Sequence, residues 1–124
     1  MTTIGTKYRG TKEYHLVYCE LVIAAQYRGV VGYDKIAKIL GIDQPGHHMA
    51  REVGQILGEI SEDEHNAGRP MLSAVAVGVA GYPGDGYFEL ARCLGKLSSS
   101  DREEMRKFWL AEKEQVYETW KARQ

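Results

Sequence analysis

The sequence is short of the residues that staple, break or charge a chain. Only two cysteines and three prolines occur in 124 residues. Two cysteines without a spacing signature exclude a disulfide scaffold of the small secreted kind. Cys19 and Cys93 each fall inside an apolar helical pattern, so core thiols in a reducing cytoplasm are the expectation, with a disulfide between them as the alternative. Net charge is nearly absent too, −1 from 16 basic and 17 acidic residues. No global field therefore draws the chain to nucleic acid or to an anionic membrane, and any such contact must come from a local patch. No apolar run approaches ~20 residues, which excludes a membrane-spanning helix. The opening "MTTIGTKYRGTKEYH" lacks the apolar core of a signal peptide, in keeping with a cytoplasmic protein.

Chemical motifs are equally sparse. His47 and His48 are adjacent, which is poor geometry for shared chelation on a helix, and His65 has no second histidine-rich segment to complete a site. No metal and no cofactor is expected. The glycines from Gly78 to Gly86 are not followed by a Lys-Ser/Thr pair, so they mark a sharp turn rather than a phosphate cradle. No Ser-His-Asp order and no framed pair of carboxylates can be read, which makes an enzyme the less expected class.

What is present is an ordinary globular balance, 44% apolar and 27% charged, in a length that suits one domain. Residues 1–10 are polar, carry two glycines and read as a loose arm. Residues 11–124 form the domain. Tyr14, Val17, Tyr18, Leu21, Val22 and Ala25 recur at helical steps, with Thr11 as N-cap and Gly29 as stop. A short helix follows on Ile36, Ile39 and Leu40, ending at Gly41. Pro45 and Gly46 then mark a turn. A third helix, Gly46–Ile60, is built on Met49, Val53, Ile56, Leu57 and Ile60, which gives a helix-turn-helix pattern. "SEDEHNAGR" reads as an acidic, solvated connection. Met71 to Val79 reads as a strand, with a short partner near Val30–Val31. "YFELARCLG" is a short helix facing Phe88, Leu90, Ala91 and Leu94 inward. A capping box of Ser100 and Glu103 starts a last amphipathic helix to Gln124. The expected class is mainly α with a small β element: a winged-helix-like helix-turn-helix domain plus a C-terminal helix.

"GYDKIAKILGI", "MAREVGQILG", "PMLSAVAV" and "GYPGDGYFELA", in that order, resemble the DNA-binding domain of alkylguanine–DNA alkyltransferases and alkyltransferase-like proteins over roughly residues 14 to 95. The resemblance implies a winged helix that binds the minor groove and extrudes a nucleotide into a pocket beside the recognition helix. It implies that Tyr33 touches a phosphate and that Arg51 enters the duplex in place of the extruded base. Ser73 falls where that family has its reactive cysteine. Gly81, Tyr82, Gly84 and Gly86 resemble the loop that closes the pocket. Ser73, Ala74 and Val75 replace the family's Cys-His-Arg, so neither thiolate nor activating base is present, and alkyl transfer is not expected.

The leading reading is a non-catalytic DNA-binding protein. It would use Tyr33, Lys35, Lys38, His48, Arg51 and Gln55 against double-stranded DNA, distorted or modified DNA being one target, with a pocket of Arg69, Ser73, Tyr82, Gly84 and Asp85. The alternative is a regulatory protein-interaction module of the phage or plasmid accessory type. That module would bind a protein partner or a second copy through Phe108, Trp109, Tyr117 and Trp120. An enzyme with a pocket around Arg69, Ser73 and Gly81–Gly86 is the third reading.

Overall fold

The computed structural model describes residues 4–122. Helix α1, Lys12–Gln26, forms where the apolar steps place it. Val17, Leu21 and Ala25 are fully buried and Tyr14, Tyr18 and Val22 flank them. The Thr11 hydroxyl accepts from the Tyr14 amide at 3.2 Å and caps the first turn. The helix stops earlier than Gly29 suggests. Arg28 takes the left-handed conformation (φ 56°), and the Gly29 amide returns to the Ala24 carbonyl at 2.8 Å. Arg28 is held there by Glu114 and Glu118 and by the Tyr117 ring, 4.8 Å away. Cys19 stands two residues from both Val17 and Leu21, on the far side of the helix. It is therefore exposed rather than a core thiol, and Cys93 is exposed as well.

The helix-turn-helix takes its expected form. Helix α2 spans Tyr33–Ile39 and α3 spans His47–Asn66, with the turn between them. Gly41 (φ 78°) and Gly46 (φ 138°) adopt backbone conformations that suit glycine, which is why the stripe breaks there. Strand β1, Val31–Gly32, pairs in parallel with β2, Ala76–Val77. The fold is mainly helical with this one small sheet.

The strand expected over Met71–Val79 shrinks to those two residues. Leu72–Val75 is a 3-10 turn, and Val79 stands fully in solvent. With only Val31 and Gly32 as partners, the rest of the segment has no ladder to join. Side chains satisfy its backbone instead. Glu112 accepts from the Met71 amide at 2.8 Å, Ser61 accepts from the Ser73 amide at 3.0 Å, and Trp109 Nε1 donates to the Ala74 carbonyl at 2.8 Å. Helix α4, Asp85–Cys93, follows the glycine turn. Helix α5 is Arg102–Trp120, shorter at both ends than expected. Its cap is Asp101, which accepts from the Glu104 amide at 3.1 Å, rather than Ser100. Lys121 turns out of the helix, and residues 123–124 lie outside the described residues.

Two expectations reverse together. The acidic "SEDEH" segment is not a solvated connection but the last turns of α3, with Glu59, Glu62 and Glu64 buried. The loose arm is docked against those carboxylates over the described residues 4–10. Glu59 accepts from the amides of Lys7, Tyr8 and Arg9 at 2.9 to 3.1 Å. Glu62 accepts from the Ile4 amide at 3.1 Å and pairs with Arg9 at 2.8 Å. Glu52 pairs with Lys7 and accepts from Tyr8 Oη at 2.5 Å. Asp63 takes Arg9 and Tyr14 Oη, while Glu64 takes Arg69 and Tyr18 Oη. A buried carboxylate without donors is costly, so the acids recruit the arm.

Glu59→Ala removes one acceptor for three backbone amides. It should cost about 3 kcal/mol in urea unfolding and abolish the hydrogen-exchange protection of Lys7, Tyr8 and Arg9. The Lys7 and Tyr8 hydrogen bonds hold the Glu52 carboxyl down at about 2. A depressed carboxyl stabilises the fold above its unfolded value and loses that contribution as pH falls toward 2. Stability should therefore fall between pH 4.5 and 2, and Glu52→Gln should flatten part of that slope in a urea series.

Candidate functional site

A cavity of about 600 Å³ opens between α3 and α4. Met49, Val53, Leu57, Leu90 and the rings of Tyr33 and Tyr87 make its walls mostly apolar. Ser73 lines its buried part, and Arg51, Asp85, Glu89 and Cys93 bring polar groups to it. Five glycines, Gly46, Gly54, Gly58, Gly84 and Gly86, leave the backbone bare along the lining. On helix α3 the residues His47, His48, Ala50, Arg51 and Gly54 of the first turns are exposed, whereas residues 56–62 and Glu64 are buried. Gly46 supplies no side-chain cap, so the first-turn amides of α3 keep their donors free for an acceptor from outside.

Tyr33 sits at the start of α2 and ties the glycine loop to the helix-turn-helix. Its Oη accepts from the Gly84 amide at 2.9 Å, which leaves its own proton to donate. Burial pushes its hydroxyl above the ordinary tyrosine value. The loop is closed further by Gly78 N–H to Tyr82 C=O at 3.1 Å and Gly81 N–H to Gly78 C=O at 3.0 Å. Ser73 Oγ accepts from Ser61 Oγ at 2.6 Å and, among the described residues, has no histidine or carboxylate partner. Nothing at the site would deprotonate it. Among the described residues Tyr87 Oη is buried without a hydrogen-bond partner, and burial, with the Glu112 carboxylate behind it, pushes that hydroxyl well up.

Of the residues expected to act together, Tyr33, Arg51, Ser73, Gly84 and Asp85 line the one cavity. Gln55 lines it as well, but its Nε2 is engaged by the Gly5 carbonyl at 2.7 Å and by Glu59 at 2.8 Å, so the docked arm takes it from any outside partner. Lys35 is paired with Glu20 at 3.0 Å, and His48 lies 3.4 Å from Arg51. Two residues leave the expected pocket. Arg69 is bound to Glu64 at 2.6 Å and lies over the Trp120 ring, because the end of α3 carries it away from Ser73. Tyr82 is 60% exposed, because its loop hydrogen bonds turn it outward.

The aromatic face of α5 packs largely within the chain. Trp109 and Tyr117 are core residues, the latter donating to the Gly29 carbonyl at 2.9 Å. Phe108 lies beside Tyr87, and Trp120 beside Tyr18. The 3-10 turn, α1 and α4 receive these rings, with Phe108 and Trp120 half-buried. Large exposed apolar residues occur on the outer side of α1, at Leu16 and Ile23, at its C-cap Tyr27, and at Leu110 on α5.

The cavity residues that sequence reasoning missed are chiefly Ile4, Gly54, Gly58, Tyr87 and Cys93. Gly54 and Gly58, four apart on a helix, are a readable sign of a bare helical face. Ile4 gave no such sign.

Tyr33→Phe should loosen the loop without unfolding the domain. A loss of about 1 kcal/mol in stability and faster exchange of the Gly84 amide are expected, while β1 and β2 amides keep their protection. No family model matches the chain, and neither the curated proteins nor the solved structures compared with it contain a match.

Proposed function

We propose that the chain is a non-catalytic, winged-helix-like DNA-binding protein that contacts double-stranded DNA through the segment Gly46–Ile60 and holds an extruded base of distorted or modified DNA in the adjoining cavity. One observation carries this reading. Tyr33, Arg51, Ser73 and Gly84, which lie far apart in the chain, line the same cavity beside the exposed start of α3. The resemblance to alkyltransferase DNA-binding domains implies a pocket of Ser73 and the glycine loop beside the recognition helix, with Tyr33 and Arg51 as the DNA contacts next to it. The free first-turn amides of α3 suit a phosphate, with the helix dipole adding to their pull. Arg51 lines the cavity, His47 and His48 are exposed at the start of α3, and Lys38 is an exposed cation of α2. The acids of α3 that would repel phosphate are spent on the arm, Arg9 and Arg69. Ser73 pairs only with Ser61, so the reading includes no alkyl transfer.

A protein-interaction module is the second reading. The observation that favours it is the exposed Leu16 and Ile23 on α1 with Tyr27 at its C-cap, rather than the α5 rings.

The test is fluorescence anisotropy with a plain duplex and one carrying an unpaired base. Binding should be steeply salt dependent, with a slope corresponding to about three or four phosphates. It should favour the unpaired base, and Arg51→Ala should weaken it roughly tenfold. Absence of binding to either duplex at low salt overturns the DNA reading in favour of the second one.

A further inference from the structure

We infer that Ile4 sets the depth of the cavity and so selects by size the ring that enters it. This rests on reading the cavity as a pocket for a base. The arm holds Ile4 from both sides. Its amide donates to Glu62 at 3.1 Å, and the next carbonyl, of Gly5, accepts from Gln55 at 2.7 Å. Three further amides, of Lys7, Tyr8 and Arg9, are bound by Glu59. The side chain therefore has a fixed backbone behind it.

That side chain lies over Gly58. The three atoms nearest to a Cβ added at Gly58 all belong to Ile4, at 3.5 to 3.8 Å. One turn earlier, a Cβ at Gly54 would meet nothing within 4 Å. Bare helix thus runs from Gly54 to Gly58, where Ile4 covers it.

The lining defines what enters. Met49, Leu57, Leu90 and the Tyr33 ring favour a flat apolar group. Ser73 Oγ accepts from Ser61, which leaves its own proton for an acceptor on the ligand. A neutral ring carrying a carbonyl fits both features. Two probes share that carbonyl and differ in length: 2-pyridone, with one ring, and 2-quinolone, with two.

The experiment titrates each probe into the isotope-labelled full chain and follows backbone amide shifts. Both probes should shift Gly54, Ser73 and Gly86. Ile4→Ala should improve 2-quinolone over 2-pyridone by about tenfold, the increment expected for freeing room for the second ring. The Tyr8 and Arg9 amides report whether the arm stays docked. Gly58→Ala narrows the same end from the helix side, at ordinary contact distance and with a better helix former. It should shift the preference the opposite way whether or not the arm of the Ile4 variant holds. Shifts at Gly54, Ser73 and Gly86 with an unchanged preference in both variants would overturn the role of Ile4 alone. No shifts with either probe would overturn the pocket itself. DNA binding, measured separately, then decides whether α3 still serves as the interface.

Discussion

A row of buried carboxylates on α3 is the constraint on which the molecule turns. Glu52, Glu59, Glu62 and Glu64 all sit at or below 5% exposure on a single helix. Ionised carboxylates can be buried only when their oxygens are matched by donors, and a missing partner leaves a large desolvation cost. Each of these acids is matched by groups that α3 does not itself contain: the amides of residues 4, 7, 8 and 9, the side chains of Lys7, Arg9 and Arg69, and the hydroxyls of Tyr8 and Tyr18. The N-terminal arm, α1 and the segment after α3 are thereby fixed around one helix.

This arrangement divides α3 into two parts. Its last turns form the centre of the domain, while its first two turns are left to solvent beside the cavity. A helix anchored so firmly at one end can present the other without a large supporting surface. The same pairing changes the electrostatics. An acidic stretch in front of α3 would oppose an anion, but these charges face inward and are answered by arginines. Net charge alone is then a poor measure of what the exposed end of α3 presents.

The cavity depends on the same interactions from another direction. Ile4 reaches it because the arm is bound, and Tyr33 and Gly84 meet because the short parallel pairing of β1 and β2 brings the segment after α3 back beside α2. Ser73 lies within it because Ser61 and Trp109 draw Leu72–Val75 into a tight turn rather than a strand.

Helical periodicity is a local property, and what depended on it was legible in the sequence. The Val17–Leu21–Ala25 stripe, the Thr11 cap, the break at Gly41 and Gly46 and the two-helix unit around it all follow from neighbours within a few residues. Tyr33 and Arg51 could also be named as DNA contacts, and Ser73 and Gly84 as pocket residues, through a resemblance of short motifs. The rest belongs to contacts between distant parts of the chain. Glu59 meets Lys7, Tyr8 and Arg9 across about fifty residues, so no local pattern distinguishes it from a solvated acid. Met71–Val79 has the composition of a strand, but a strand exists only where a neighbour offers a ladder, and β1 offers two residues. The α5 rings are amphipathic in sequence, yet whether they face a partner or their own core depends on the turn and helix beneath them. Sequence by itself determined where helices form and where they break, because backbone propensity and apolar spacing act over a few residues. Tertiary structure decided which charges are buried, which arm is docked and which residues share the cavity, because those outcomes require partners far away in the chain.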